Sequence, residues 1–566
     1  MNINNAAVAQ NTYDAIVIGS GISGGWAAKE LCQKGLKTLM LERGRNVEHI
    51  KDYPTAMKNP WDFDHRLNFT TKEKNQNPVQ CVASDESNQH FFAKDTEHPY
   101  IQEKPFNWIR GYQVGGRSLT WGRQCYRLSD LDFEANAKDG IAVDWPIRYK
   151  DLAPWYDYVE TYVGISGTNE GIPHLPDGKF LPGLDLNIIE KHLAQNIKSN
   201  YEQRWLTIAR VANLTRGWDG RGPCQNRNLC SRGCPFTGYF SSNGATIPGA
   251  VATGNLTLRP FAVVTEILYD EKTNKATGVR IIDANTKETM EFYARIIFLN
   301  ASTIASTQIL LNSKSRHFPN GLGNSSGLVG HNLMDHHSCS GSTGKHDGFT
   351  DHYYKGRRPC GFYIPRYRNL PGQKDSLNFK RGYGIQGHGE RQEWIDKSIG
   401  LEGVGKDFKE KLTTPGPWTV WTGGWGECLP YDDNRVTLDE TQKDSWGIPL
   451  VKIDFTFREN ETNMMTDIQT TTAEMLSKAG FKDIGSYKWH MPGGSTIHEM
   501  GTARMGRDPK TSVLNEFNQL HDVKNVFITD GSAMTSSAAQ NPSLTYMALT
   551  ARACDFAVNE LKKGNL

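Results

Sequence analysis

The sequence predicts an α/β protein that combines a domain with a parallel sheet and an α+β second domain built on an antiparallel sheet. Three observations predict it. A strand, glycine turn, helix and strand follow one another in residues 14–42. Residues 255–302 contain three strand-like runs separated by polar turns, LTLRPFAVVTEILYD, ATGVRIIDA and MEFYARIIFLNA, which is the pattern of a β-meander. Residues 346–487 contain alternating segments such as VKIDFTF at 451–457, which are typical of antiparallel strands.

The first unit has the order of a Rossmann-like fold. An apolar strand is followed by the glycine pattern G-x-G-x-x-G, a helix, and a second apolar strand, 38–41, that ends on Glu42. The first glycine permits a tight turn, the second lets a pyrophosphate approach the backbone, and the third lets the helix pack closely on the strand. An acidic residue at this distance binds a ribose hydroxyl. The unit therefore predicts dinucleotide binding through Gly19, Gly21 and Gly24, with Glu42.

The composition limits the classes of partner and the compartment. The 64 basic and 62 acidic residues give a net charge of +2, which provides no electrostatic basis for binding nucleic acid or a membrane surface. No apolar run approaches the ~18 residues that span a bilayer. Residues 1–13 lack the basic and apolar regions of a signal peptide. We therefore expect a cytoplasmic chain unless a partner subunit carries it to the periplasm.

Further motifs follow the first unit in a specific order. They are a second glycine-rich loop at 111–122 (GYQVGGRSLTWG), NASTIAST at 300–307, VGHNLMDH at 329–336, His-x-x-Gly-Thr from 498 and Asp-Gly-Ser from 530. Together with the first unit, this order resembles the glucose-methanol-choline (GMC) oxidoreductase family over nearly the whole chain. The resemblance implies a Rossmann-like FAD-binding domain with a β-meander and an antiparallel-sheet substrate domain.

The resemblance also implies how FAD is bound. Glu42 would bind the adenosine ribose, and Val264 of the meander would lie near the adenine. Some relatives attach the flavin to a histidine in the second glycine-rich loop. That loop has no histidine here, so we expect non-covalent FAD. The other cofactor-binding residues that the resemblance implies are Gly115, Gly116, Asp530 and Gly531, the last two beside the ribityl chain and the pyrophosphate.

A flavin oxidises an alcohol when the hydroxyl proton is removed as hydride leaves carbon. A histidine, with a pKa near neutrality, suits the role of base. His498 in STIHEMGTARMG matches the family's active-site histidine, and Asn541 in AAQNPSLT matches its partner position. The resemblance thus assigns His498 as the base and Asn541 as an amide donor to the substrate oxygen. His331, His336 and His337 also cluster, and we expect a structural or loop role for them.

Three cysteines lie within eleven residues, in the pattern C-x5-C-x3-C followed by proline: Cys224, Cys230 and Cys234. Ten cysteines in 566 residues are too few for a disulfide framework, so a cluster of them suggests ligands. Thiolates in one loop can converge on an iron–sulfur cluster, whereas zinc usually needs a fourth ligand, which is not apparent nearby. A disulfide with one free thiol, or three unrelated cysteines, are the alternatives. The pattern resembles the membrane-linked bacterial sugar dehydrogenases of the family, which implies a [3Fe–4S] cluster, although Gln225 stands where some of them have another cysteine.

A cluster beside a flavin favours a dehydrogenase over an oxidase, because oxygen accepts both electrons without a one-electron relay. The chain has no C-x-x-C-H haem motif, so the cytochrome c acceptor that the resemblance implies would be another subunit. The resemblance also implies a small accessory subunit that carries an export signal, and we therefore expect the chain in the periplasm by co-export with it. We favour oxidation of C3 of D-glucosides, the activity of a glucoside 3-dehydrogenase. Glucose C1, fructose, gluconate and sorbitol dehydrogenases, an oxygen-using pyranose oxidase and a lyase without redox turnover remain as alternatives.

These features predict two discontinuous domains. The FAD-binding domain would comprise residues 1–50, 105–140, 236–345 and 490–566. The substrate domain and its excursions would comprise residues 51–104, 141–235, which include the cysteine loop 224–235, and 346–489.

Overall fold

The computed structural model describes residues 2–3, 11–354, 356, 358–373, 377–393 and 401–566. Residues 1 and 4–10 of the amino-terminal segment considered above therefore lie outside the described residues. The strands are β1 (Asn2–Ile3), β2 (Thr12–Ile18), β3 (Thr38–Leu41), β4 (Ile101–Gln102), β5 (Ser166–Gly167), β6 (Leu181–Pro182), β7 (Thr207–Ile208), β8 (Leu256–Arg259), β9 (Ala262–Asp270), β10 (Lys275–Asp283), β11 (Thr289–Leu299), β12 (Ser340–His346), β13 (Phe362–Ile364), β14 (Tyr383–Arg391), β15 (Trp418–Gly426), β16 (Arg435–Lys443), β17 (Pro449–Asp454), β18 (Lys482–Lys488) and β19 (Val526–Ile528).

The described α-helices are α1 (Ile22–Gln33), α2 (Thr71–Gln76), α3 (Asp130–Phe133), α4 (Ala135–Asp139), α5 (Tyr149–Val163), α6 (Ile188–Asn200), α7 (Ile247–Val251), α8 (Thr303–Asn312), α9 (Lys406–Thr413), α10 (Glu459–Lys478) and α11 (Ser543–Lys562). Within the described part of the chain, no helix combines the length and the apolar character that a membrane crossing requires.

The first sheet joins parallel strands to an antiparallel meander. Its order is β1-β8-β3-β2-β11-β10-β9, and β19 pairs with the end of β11. Strands β2, β3, β8, β11 and β19 run parallel, whereas β10 is antiparallel to both of its neighbours. The mixed α/β fold with a Rossmann-like sheet and a meander is therefore confirmed.

Both faces of the parallel strands are buried, which explains their continuous apolar runs. Ala15 and Val17 of β2 face the layer that contains α1 and α11. The alternate residues Ile16 and Ile18 face the larger core, to which α8 contributes. The period-two alternation of β-strand side chains therefore places helices on one face of the sheet and the cofactor-side core on the other.

One strand predicted from the sequence is two strands in the structure. The run LTLRPFAVVTEILYD divides at Pro260 into β8 and β9. Proline has no N–H for a strand ladder, and Phe261 has a positive φ of 56°, so the chain bends there. Strand β8 then pairs parallel with β3, and only β9 enters the meander.

The second sheet is the predicted antiparallel one, with the order β18-β12-β15-β14-β13-β7. Helix α10 packs on it through apolar residues such as Met464 and Ile468. Two sequence assignments need correction. Strand β12 (340–346) belongs to this sheet and not to the FAD-binding domain, because it pairs with β15 and β18. Residues 451–454 of the segment 451–457 lie instead in β17 of a separate three-stranded sheet, β16-β17-β4, and residues 455–457 follow that strand outside any sheet.

Candidate functional site

One cavity of about 320 Å3 joins the first glycine turn to the carboxyl-terminal motifs. Parallel strands β2, β3 and β11 end at this edge of the sheet, where α/β proteins bind nucleotides. Helix α1 begins there too, so its first N–H groups face the cavity. The structure brings together at this cavity the predicted residues Gly19, Gly21, Glu42, Gly116, Val264, Asp530, Gly531, His498 and Asn541.

The glycines of the first turn have different structural roles. A Cβ on Gly24 would lie 2.0 Å from the carbonyl oxygen of Gly19, so only glycine lets α1 begin this close to β2. A Cβ on Gly21 would meet no atom of the described residues within 4 Å, apart from its chain neighbours, because Gly21 faces the cavity. The backbone at Gly21 is therefore accessible to a ligand, as pyrophosphate binding requires.

Glu42 is tied to both glycine loops. Ser20 Oγ donates to Glu42 Oε2 at 2.5 Å and accepts from the N–H of Gly115 at 2.9 Å. The Gly44 N–H donates to Glu42 Oε1 at 3.0 Å. Burial raises the pKa of the Glu42 carboxyl, and the Ser20 and Gly44 hydrogen bonds oppose that rise. Gly115 thus lies beside the cavity and not in its wall, where it positions the acid predicted to hold a ribose.

The far wall of the cavity is formed where β19 ends. Asp530 accepts from Ser306 Oγ at 2.5 Å and from the Ser532 N–H at 3.0 Å, which ties this turn to α8. Burial raises the pKa of Asp530. The Tyr546 hydroxyl of α11 is buried at this cavity without a hydrogen-bond partner among the described residues. A buried, unpaired hydroxyl beside an open glycine turn fits a cavity built for a polar dinucleotide such as FAD.

His498 and Asn541 meet at the same cavity although 43 residues separate them. His498 follows β18, and Asn541 precedes the first turn of α11. The Nδ2 atom of Asn541 lies 3.4 Å from Nε2 of His498. Burial, with smaller contributions from His336 and Arg117, holds the pKa of His498 well below its usual range. His498 is therefore a neutral imidazole near pH 7, the form that accepts a proton.

Two residues that sequence analysis did not assign to the site contact this pair. Nδ1 of His336 lies 2.9 Å from Nδ1 of His498, and Gln386 Nε2 donates to Asn541 Oδ1 at 2.8 Å. His336 precedes β12 and Gln386 lies on β14, so both belong to the antiparallel side of the molecule. The expected structural role of His336 is therefore incomplete. The spacing of these residues from His498 carries no signal that would have identified them.

Two acidic side chains, those of Asp335 and Glu499, lie next to His498. Asp335 Oδ1 accepts a hydrogen bond from the backbone N–H of His498 at 3.1 Å. Burial and the neighbouring Glu499 raise the pKa of Asp335 to about 7. Arg117, in the second glycine-rich loop, donates to Glu499 Oε2 at 3.0 Å. This arrangement ties the backbone of His498 to the glycine loop and to the chain segment before β12.

The three cysteines lie apart from the cavity, in a loop at the protein surface. Each is half-buried, and Gly238 N–H donates to Cys234 Sγ at 3.3 Å. Burial and the nearby thiols of Cys230 and Cys234 raise the pKa of Cys224. Among the described residues, no group of three or more His, Cys, Asp or Glu side chains is arranged to hold one metal ion. The donor set still fits an iron–sulfur cluster, in which thiolates bind different iron atoms.

Comparison with known proteins agrees with this architecture. Residues 13–338 match the amino-terminal GMC oxidoreductase domain, and residues 430–550 match the carboxyl-terminal one. The chain is 28% identical to 2-methyl-1,2-propanediol dehydrogenase of Mycolicibacterium austroafricanum, over 96% of this chain and 94% of that protein. It is 25% identical to the fructose dehydrogenase large subunit of Gluconobacter japonicus, over 97% and 98%. Formate oxidase of Aspergillus oryzae RIB40 shares the fold, with a TM-score of 0.61, 15% identity and coverage of 98% of this chain and 100% of that one.

Proposed function

Since the chain belongs to the GMC oxidoreductase family and is an FAD-dependent oxidoreductase, we propose that it oxidises a ring hydroxyl of a sugar to a ketone. The first candidate is C3 of a D-glucoside, the reaction of a glucoside 3-dehydrogenase. One observation carries the proposal: His498 and Asn541 lie on the wall of the cavity that the dinucleotide fingerprint also lines. Base, amide donor and cofactor cradle therefore share one space.

Each side chain has a defined task in this reaction. Bound non-covalent FAD supplies the acceptor for the hydride. In this proposal the pyrophosphate contacts the backbone at Gly21, which faces the cavity, and Glu42, which lines the same cavity, binds the ribose. Nε2 of His498 removes the hydroxyl proton, and the Asn541 amide donates to the substrate oxygen. Removal of the proton as hydride leaves yields the ketone, so the residues account for the proton and FAD for the electron pair.

We extend the proposal to a [3Fe–4S] cluster held by Cys224, Cys230 and Cys234. It is supported by the closeness of three thiols in one loop and by a backbone N–H directed at Cys234 Sγ. Such a cluster supplies one-electron transfer, which a cytochrome acceptor requires. A relative that is named as a large subunit supports a small accessory subunit as a further part of the proposal. A cytochrome c acceptor completes the proposed electron path. The periplasmic location stays a prediction.

A ketose is a second candidate substrate. The chain is similar over 97% of its length to a fructose dehydrogenase large subunit, which is why a ketose belongs among the substrates to be tested. The similarity to a dehydrogenase of a small diol extends as far, so overall similarity does not select one alcohol. The hydroxyl that is oxidised depends on how the substrate domain orients the ring above the flavin.

Anaerobic bleaching of the flavin band near ~450 nm tests the proposal directly. The holoenzyme is mixed with methyl α-glucoside, glucose or fructose in separate reactions. Methyl α-glucoside has a blocked anomeric carbon, so rapid bleaching by it supports oxidation of a ring hydroxyl and excludes C1. Bleaching by glucose alone indicates a C1 dehydrogenase, and bleaching by fructose alone indicates a fructose dehydrogenase. Either result overturns the C3 assignment.

The acceptor is tested separately on the same holoenzyme. Iron and acid-labile sulfide are measured per flavin, and reoxidation of the reduced flavin is timed with oxygen and with cytochrome c. Iron and sulfide in the three-to-four ratio, with faster reoxidation by cytochrome c, support the cluster relay. Absence of both elements together with rapid reoxidation by oxygen identifies an oxidase.

A further inference from the structure

We infer that His336 is a positioning residue that fixes the tautomer of His498, so that the bare Nε2 of His498 faces the cavity. The inference rests on the proposed role of His498 as the base. It comes from a chain of hydrogen bonds in which every donor points the same way. In order from first donor to last acceptor, its members are Gln386, Asn541, His498, His336 and the carbonyl oxygen of Ala538.

The direction of the chain is set at its buried end. Nε2 of His336 lies 2.8 Å from the carbonyl oxygen of Ala538 and 3.3 Å from that of Ser537. A carbonyl oxygen only accepts, so Nε2 of His336 carries the hydrogen. Burial lowers the pKa of His336 to about 4, so the ring is neutral near pH 7. A neutral imidazole has one N–H, which leaves Nδ1 of His336 as an acceptor.

The next link follows from this assignment. The two Nδ1 atoms of His336 and His498 lie 2.9 Å apart, a normal hydrogen-bond distance that requires one hydrogen between them. Because Nδ1 of His336 accepts, Nδ1 of His498 donates. Neutral His498 then has no hydrogen on Nε2, and the Nε2 lone pair is directed toward Asn541 and the cavity.

The other end of the chain orients the amide. Gln386 donates to Asn541 Oδ1 at 2.8 Å, so the Nδ2 hydrogens of Asn541 turn toward Nε2 of His498. The distance between Nδ2 and Nε2 is 3.4 Å, longer than an ordinary hydrogen bond. A substrate hydroxyl can replace this weak contact, because it can donate to Nε2 of His498 and accept from Nδ2 of Asn541.

His336 has a second effect during proton transfer. When Nε2 of His498 takes the hydroxyl proton, the ring becomes an imidazolium with two N–H groups. The hydrogen on Nδ1 already bonds to Nδ1 of His336, which stabilises the positive charge. His336 is buried and does not line the cavity, so it acts only through His498.

Two substitutions at position 336 separate its two hydrogen bonds. In His336→Asn the side-chain oxygen lies near the place of Nδ1 and can accept from His498. In His336→Gln the amide nitrogen lies near the place of Nε2 and can donate to Ala538, but the acceptor for His498 is lost. We expect His336→Gln to slow flavin reduction at saturating substrate by about tenfold or more, with substrate affinity little changed. We expect His336→Asn to retain most of the rate.

The matched control is His337→Gln. His337 is equally buried on the adjacent residue, but its Nε2 contacts Met464 Sδ at 3.1 Å and not His498. The His337→Gln substitution disturbs packing in the segment before β12 to a similar extent. It should leave the rate of flavin reduction in the folded holoenzyme unchanged. A rate loss in His337→Gln equal to that in His336→Gln contradicts the inference, because it would reflect packing alone.

The decisive measurement needs no variant to turn over. 15N NMR of histidine-labelled wild-type holoenzyme without substrate reports which ring nitrogen of His498 carries the hydrogen, and His498→Ala assigns the signal. We expect hydrogen on Nδ1 in the wild type and His336→Asn, and a shift toward Nε2 in His336→Gln. Hydrogen on Nε2 in the wild type overturns the inference. Because no substrate is present, failure of the sugar assignment would leave this result unaffected.

Discussion

The catalytic cavity and the cysteine loop are built in opposite ways. The cavity gathers residues from segments far apart in the chain: the contacts of His498 reach His336, 162 residues away, and Asn541, 43 residues away. The three cysteines lie within residues 224–234, in one surface loop. His498 and Asn541 at the cavity are held by hydrogen bonds to side chains of distant segments, whereas the cysteine loop offers half-buried thiols whose proposed partner is inorganic.

This difference determines how each site responds to substitution. A site assembled from distant segments depends on the whole fold, so its residues set each other's protonation and orientation. A site within one loop depends on the group it binds, and the fold around it can tolerate its loss. Substitutions should therefore separate the two regions: cavity variants should alter sugar-driven flavin reduction, and cysteine variants only the later transfer of electrons.

The largest effect is expected for His498→Ala. Removing a general base costs roughly 10²–10⁴-fold in rate, and the dinucleotide cradle at Gly21 is untouched. Stopped-flow flavin reduction should therefore fall by that factor while FAD remains bound. His331→Ala is the control, because His331 contacts Asp432 outside the cavity and should have no effect. Reduction near the wild-type rate in His498→Ala would exclude His498 as the base.

The sharpest test of the contrast is Cys230→Ser. Serine is a poor iron ligand, so the variant should lose most of its cytochrome c turnover and its iron, while sugar still bleaches the flavin at the wild-type rate. The matched control is Cys81→Ser, at a half-buried cysteine outside the loop. Unchanged cytochrome c turnover in Cys230→Ser contradicts the relay.

A smaller effect on the cofactor is expected for Gly21→Ala. The new methyl group contacts none of the residues that the structure describes beyond its chain neighbours, so the thermal midpoint of the apoprotein should not change. It enters the space proposed for the pyrophosphate, so the FAD dissociation constant should rise about tenfold, equivalent to about 1.4 kcal/mol. Gly217→Ala, where the nearest atom to the Cβ is at 3.8 Å and outside the cavity, is the control. Unchanged FAD affinity would place the pyrophosphate elsewhere.

The smallest effect concerns pH. Burial holds the pKa of His498 below its usual value, so the neutral base persists as the pH falls, and protonation begins only at lower pH. The rate of flavin reduction should therefore stay level down to pH ~6.5, the ordinary histidine pKa, and decline only below it. Substitutions in the cysteine loop should leave this pH dependence of flavin reduction unchanged, because the loop is proposed to act after the flavin is reduced. If the rate of flavin reduction falls to half at pH ~6.5 or above, the conclusion that burial lowers the pKa of His498 is wrong.

Local features of the fold were predictable because they depend on near neighbours. Strand β3 was predicted at the residues it occupies, 38–41. In a β-α-β unit, a short apolar run that follows the helix and precedes an acidic residue predicts the second parallel strand. The run LTLRPFAVVTEILYD was predicted as one strand and is two. Its apolar pattern continues across Pro260, but the pairing of β8 with β3 is a long-range property that the pattern does not contain.

The sequence by itself determined the dinucleotide fingerprint, the family, the spacing of the cysteines and the identity of His498 and Asn541 as candidates. The tertiary structure alone decided which of sixteen histidines lies against His498, and that a carbonyl at Ala538 orients it. The physical reason is that a tautomer is set by hydrogen bonds to atoms of distant segments. One of those atoms belongs to the backbone, whose accepting group is the same at every residue and leaves no trace in the sequence.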